Sequence, residues 1–161
     1  MRYSNPGLPD GSVTSIKLAN DAVILSKLKE DRYTATNGGA VATTAGGATI
    51  CTVNPSDVNE GDILLFFAAC KHTKGATPGE TSLAIIKASG TAAIDFGATT
   101  DVPEIRYIQN ASVIDAWMLN AVAVVTVGGS ISFELSGASL GSNGNVVAGA
   151  GALFLMILRA Q

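Results

Sequence analysis

Few side chains in this chain could carry chemistry, and they are scattered. There is one histidine, His72, two cysteines, Cys51 and Cys70, and a serine, Ser139, inside Gly137-Ala138-Ser139-Leu140-Gly141. That pentapeptide matches G-x-S-x-G, which makes a nucleophile only where a strand turns into a helix and a later histidine supplies the base. Here Ser142-Asn143-Gly144-Asn145 follows as a loop, and His72 comes before the serine. A turn of small residues is the expectation. Cys70-Lys71-His72 would need further ligands for zinc, or a reactive thiolate for covalent catalysis. Both cysteines lie in apolar runs, where the thiol behaves as a small buried hydrophobe. Asp57, Glu60 and Asp62 surround Gly61 and offer oxygen ligands, but the spacing is not that of a calcium loop. A solvated turn capped by Asp57 and Asp62 is expected instead. No carboxylate pair stands out for glycoside hydrolysis, and no phosphate-binding glycine motif is present. The expectation is a non-enzyme with no cofactor and no metal.

Aromatic rings could serve sugar binding, since flat rings stack on pyranose faces. Trp117, Tyr107 and Phe96 are the candidates, but Phe, Trp and Tyr make up only 6% of the chain. Trp117 is expected in the core or at a subunit interface. Asn110-Ala111-Ser112 fits a glycosylation sequon, idle in a protein without a secretory leader.

These residues sit in a chain of 161 residues, 47% hydrophobic, 14% charged, with formal net charge -3. Soluble domains carry about 25% charged residues, so this one is undercharged. An apolar, near-neutral chain is not generally disordered. Its acidic balance disfavours a nucleic-acid binder, and its length suggests one domain plus a short appendage. The N-terminus lacks the apolar segment of a secretory signal, and no run approaches a membrane span. Synthesis in a cytoplasm, with neither membrane nor nucleic acid as partner, is the expectation.

The charge is uneven. Residues 1–33 hold nine charged side chains and the other 128 hold fourteen, with net charge -4 in that second part. The shift divides the chain into an arm (1–33), a linker (34–45) rich in Gly, Thr and Asn, and a body (46–161). Within the arm, Ser12–Leu18 aligns with Ala22–Leu28 at a period of ten, matching Val13 to Val23, Lys17 to Lys27 and Leu18 to Leu28. So short a segment cannot bury these residues against itself. Either it folds as a helical extension onto its own body through Leu18, Leu25 and Leu28, or it associates with its copies or another protein. In that second case Val13, Ile16, Leu18, Val23, Leu25 and Leu28 are the binding residues.

The stretch from Gly7 through Asp10-Gly11-Ser12-Val13-Thr14-Ser15-Ile16-Lys17-Leu18 resembles the DGSVTTAKL-type repeats near the N-termini of bacteriophage tail fibres and head fibres. The likeness covers residues 7–30, and the second repeat departs from it at Ile24-Leu25-Ser26. In that family such repeats form trimeric stalks or virion-attachment segments, which implies a fibre or decoration protein.

In the body, β-branched apolar runs alternate with Gly, Asn and Ser punctuation. Strands are expected at 48–53, 62–70, 82–88, 92–96, 104–108, 113–119, 121–127, 130–135 and 146–158, with Gly128-Gly129 as a hairpin turn. That pattern reads as an all-β sandwich or jelly roll. A strand with one wet face alternates apolar and polar residues. The runs 63–70 and 152–158 are apolar on both faces, and 121–127 is nearly so. No amphipathic helix is available to cover the second faces, so other subunits are expected to cover them. Leu64, Phe66, Phe154 and Met156 are taken as the interface, and the oligomer as a trimer. The arrangement resembles the trimeric jelly rolls of the tumour-necrosis-factor and complement C1q type, through Gly61-Asp62 entering a strand, the 127–133 hairpin and the apolar last strand.

Together these readings anticipate a homotrimeric virion protein, a capsid decoration or head-fibre protein on the capsid exterior, bound by its arm to the major capsid protein or another virion protein. A tail-fibre tip that recognises a host glycan, and a cellular C1q-like binding module, are the alternatives.

Overall fold

The computed structural model describes residues 30–97 and 103–160. The arm residues Val13, Ile16, Leu18, Val23, Leu25 and Leu28 lie outside the described residues. The described chain contains ten strands: β1 (Glu30–Thr36), β2 (Val41–Thr43), β3 (Ala48–Val53), β4 (Ile63–Thr73), β5 (Gly79–Ser89), β6 (Ala93–Asp95), β7 (Glu104–Gln109), β8 (Ile114–Val127), β9 (Ser132–Ser139) and β10 (Gly144–Leu158). They form two antiparallel sheets packed as a β-sandwich. Sheet A runs β1-β10-β4-β8-β6, with β2 also paired to β10, and sheet B runs β3-β9-β5-β7. After β3 every connection passes from one sheet to the other, so almost no pairing is local.

Side chains of opposite parity enter the space between the sheets. Leu64 and Phe66 of β4, Leu153, Leu155 and Ile157 of β10, and Ala123 and Val125 of β8 come from sheet A. Leu83 and Ile85 of β5 and Phe133 and Leu135 of β9 come from sheet B. Phe66 and Phe133 meet edge to face with ring centroids 4.7 Å apart, joining the two layers.

The structure redraws several boundaries. Residues 30–33 of the expected arm and much of the expected linker are strands of sheet A: Tyr33 and Ala35 pack on the core, and β1 pairs with β10 from Glu30↔Leu158 to Thr36↔Ala152. Asn37 holds the following turn. It is 4% exposed, donates to Gly39 O (2.8 Å) and Val147 O (2.9 Å), and accepts from Gly151 N (2.6 Å). The two strands expected at 113–119 and 121–127 are one 14-residue strand, because Asn120 only marks an outward position. Gly128-Gly129 is not a two-residue hairpin. Gly129, at φ 148°, instead exchanges backbone hydrogen bonds with Val58 (2.8 and 2.9 Å) before β9 begins.

At one end of the sandwich Arg159 closes the structure. It reaches Asp31 (2.6 Å) and Asp62 (2.8 Å), and donates to Asp57 O (2.9 Å). Burial pushes the Asp62 carboxyl up, but the backbone N–H groups of Asn59 and Ala160, with Arg159, hold it below its ordinary value. The first residues of β1, where the arm joins the body, are fixed there.

Candidate interaction face

The outward faces of the two sheets differ in kind. On sheet A, strand register puts Phe67 between Phe154 and Asn120, Leu65 between Met156 and Val122, and Ile63 between Leu158 and Val124. Ala69 stands between Ala152 and Met118. Of the outward positions on β10, β4 and β8, only Lys71 carries a charge. Met118 is 74% exposed, Val122 54% and Phe67 48% in the single chain. Phe67 and Phe154 lie ring to ring at 6.0 Å. Along one edge β1 contributes Glu30, Arg32, Thr34 and Thr36, a polar rim with Arg32 paired to Glu30.

Sheet B shows what a water-facing sheet of this protein looks like. Its outward residues include Thr49 and Thr52 on β3, Glu134 and Ser136 on β9, Glu80 and Ser82 on β5, and Glu104 and Arg106 on β7. Arg106 pairs with Glu104 (2.8 Å) and Glu80 (3.4 Å), and Thr49 donates to Glu134 (2.8 Å). Its two large apolar members, Ile86 and Ile108, each stand beside a glutamate in register. A depression of about 190 Å³ over Ala138, Ser82 and Arg106 is lined about equally by polar and apolar atoms.

The four expected interface residues do not share a face. Phe66 pairs in register with Leu155, and Phe67 with Phe154, so Leu64 and Phe66 point opposite to Phe154 and Met156. Leu64 and Phe66 are fully buried in the chain's own core and cannot meet a second chain. Phe154 and Met156 do face outward, half-buried, with Leu65 and Phe67 as their neighbours on β4.

The residues considered for chemistry are engaged internally. His72 is 1% exposed, stacked on Trp117 with ring centroids 4.9 Å apart. Its Nε2 contacts Thr43 Oγ1 (2.7 Å) and its Nδ1 contacts Gln109 Oε1 (2.8 Å). Burial pushes the Cys51 thiol up to about 11 and the Cys70 thiol up to about 12, away from the thiolate that reactivity requires. Ser139 ends a strand rather than a turn, 2% exposed, and donates to Ser142 O (3.2 Å) while accepting from Lys74 Nζ (2.8 Å). Sequence reasoning missed Lys74. It lies 2% exposed with its ammonium also on Leu140 O (2.5 Å) and Ser142 O (3.1 Å), a cage of neutral oxygens closed to solvent. Asp62 is committed to Arg159, and among the described residues no group of His, Cys, Asp and Glu is placed to hold a metal ion. No helix there is long and apolar enough to cross a membrane.

Trp117 is 5% exposed and Tyr107 meets it edge-on at 4.6 Å, so these rings offer no open platform to a sugar. Phe96 packs toward Phe66 at 5.9 Å. Asn110 and Ser112 form the turn before β8.

No protein-family model matches the chain, and no curated protein matches it.

Proposed function

We propose that this chain is a non-enzymatic virion structural protein. Its body assembles into a homotrimer through the outer face of sheet A, and its N-terminal arm binds the capsid exterior. The observation that carries the reading is the contrast between the two outer faces: sheet B is built for water and sheet A is not. Exposed apolar patches of this extent mark interaction surfaces. Burying a Val, Ile, Leu, Phe or Met side chain is worth roughly 1.5–3 kcal/mol, and about half of that for the half-buried members of this face. Nine such residues oppose an association cost of about 4–15 kcal/mol.

The strand order supports a jelly roll of the tumour-necrosis-factor type. Without the two three-residue strands β2 and β6, the eight longer strands run 1-8-3-6 in one sheet and 2-7-4-5 in the other. The two Greek keys of a jelly roll give that order. Attachment to a capsid rests on the likeness of residues 7–30 to phage fibre repeats. Three arms on one trimer would bind with high effective concentration, and binding the assembled shell rather than free subunits would stabilise it.

The test combines mass and location. Light scattering on the full chain should give three times the monomer mass, and labelling virions with an antibody to the body should mark the head. Deleting residues 1–29 should leave the oligomer intact and abolish capsid binding. A truncated chain that still decorates capsids refutes the arm's role; label on the tail favours the fibre-tip alternative.

A further inference from the structure

The end of the sandwich remote from Arg159 holds a closed polar cluster that no assembly role requires. His72 of β4 touches Thr43 of β2 on one side and Gln109 of β7 on the other. The Gln109 amide nitrogen donates to His72 O (3.2 Å) and Val113 O (3.0 Å), both carbonyls, which fixes its oxygen toward the ring. Nδ1 must therefore carry a hydrogen, and Nε2, in the neutral ring, accepts from the Thr43 hydroxyl. The ring cannot turn away: Trp117 stacks on one face, and a Cβ on Gly144 would collide with its Cε1. Thr43 is 0% exposed and Gln109 1%.

We propose that the Thr43–His72–Gln109 chain is an acid-sensitive latch, which holds β2 to the body while His72 is neutral and releases it when the ring gains a proton. A second ring proton on Nε2 reverses the Thr43 bond and leaves the threonine's own hydrogen without an acceptor in a site closed to water. A buried donor without a partner costs about 1–3 kcal/mol. The charges facing the ring do not rescue the cation. Just after β4 the buried Lys74 ammonium repels it; on β8 Asp115, its partner in register, attracts it; Cys70 and Tyr107 are neutral. β2, β5 and β10 bring up Thr43, Thr81, Gly144 and Val146, none of which carries a charge. Burial and Lys74 outweigh Gln109 and Asp115, so the ring is held below its ordinary 6.5. The neutral form's contribution is thus complete above pH 6.5 and declines as pH falls through that value. β2 has three residues and a single paired neighbour, β10, so little else in its sheet holds it once the Thr43 bond is lost.

The chain has one histidine, so its ring signals need no assignment. NMR on the full chain, with amide hydrogen exchange at pH 7.5 and 5.0 corrected for intrinsic rates, tests the proposal. Expected are an Nδ1–H tautomer at neutral pH, a ring that resists protonation below pH 6.5, and β2 amides exchanging at least tenfold faster at pH 5.0. The central amides of β4 should not change. In His72→Gln the acid-induced loosening of β2 should vanish; if that variant does not fold, the wild-type ring and exchange data decide alone. A ring that titrates at 6.5 with β2 protection unchanged overturns the latch, as does loosening that persists in His72→Gln.

Discussion

Leu64 and Leu65 adjoin in sequence and face opposite worlds, one in the core and one on the outer face of sheet A. Substitution should separate them. Phe66→Ala removes a ring that touches Phe133 across the sheets and should cost about 3–5 kcal/mol, read as a lower midpoint in chemical denaturation. Phe67→Ala should barely affect the folding of the isolated chain and should instead weaken self-association. Arg159→Ala leaves Asp62 buried without its cation, which should cost about 3–5 kcal/mol. Asp62 titrates below its ordinary 3.8 in the folded state, so its contribution is intact above that pH and lost as the medium becomes more acidic. In Arg159→Ala the Asp62 carboxyl loses a cation that holds it down, so Asp62 should contribute less of the acid limb and the stability–pH curve should be shallower below that pH.

At the scale of elements, residues 30–43 are the clearest lesson. Their charge and glycines read as arm and linker, yet Tyr33, Ala35 and Asn37 are tied into sheet A by core packing and hydrogen bonds to β10. The strands of the body were legible, because β-branched runs bounded by glycine are a local signal. Which face of each strand turns inward was not. A run such as 63–70 is apolar at both parities, and its end misleads further: Lys71 points out while His72 and Lys74 point in. The polar cluster around His72 was equally hidden, since Thr43, Gln109 and Trp117 converge on it from three other strands and no spacing announces that. Removing residues 1–29 should leave the thermal midpoint within a few degrees of the full chain. Removing residues 1–36 also strips β1 from β10 and cuts Asp31 from Arg159, and it should yield an aggregating or unfolded product in the same melt.

For the whole molecule, the two sheets divide the labour. Sheet B and its Glu80–Arg106–Glu104 cluster face water, while the outer face of sheet A offers Phe67, Phe154, Met156 and Val122 to copies of itself in the proposed trimer. With the chain crossing between sheets at almost every connection, its contacts are far apart in sequence, which slows folding and leaves apolar strands exposed meanwhile. Refolding yield should consequently fall as protein concentration rises. The central claim, that sheet A is covered by other subunits, meets its most direct test in sedimentation or light scattering of the full chain beside Phe67→Lys. The account predicts a stable trimer for the natural sequence and a folded monomer for the variant. A natural chain that stays monomeric at high concentration, or a variant that keeps the full mass of the assembly, would contradict it.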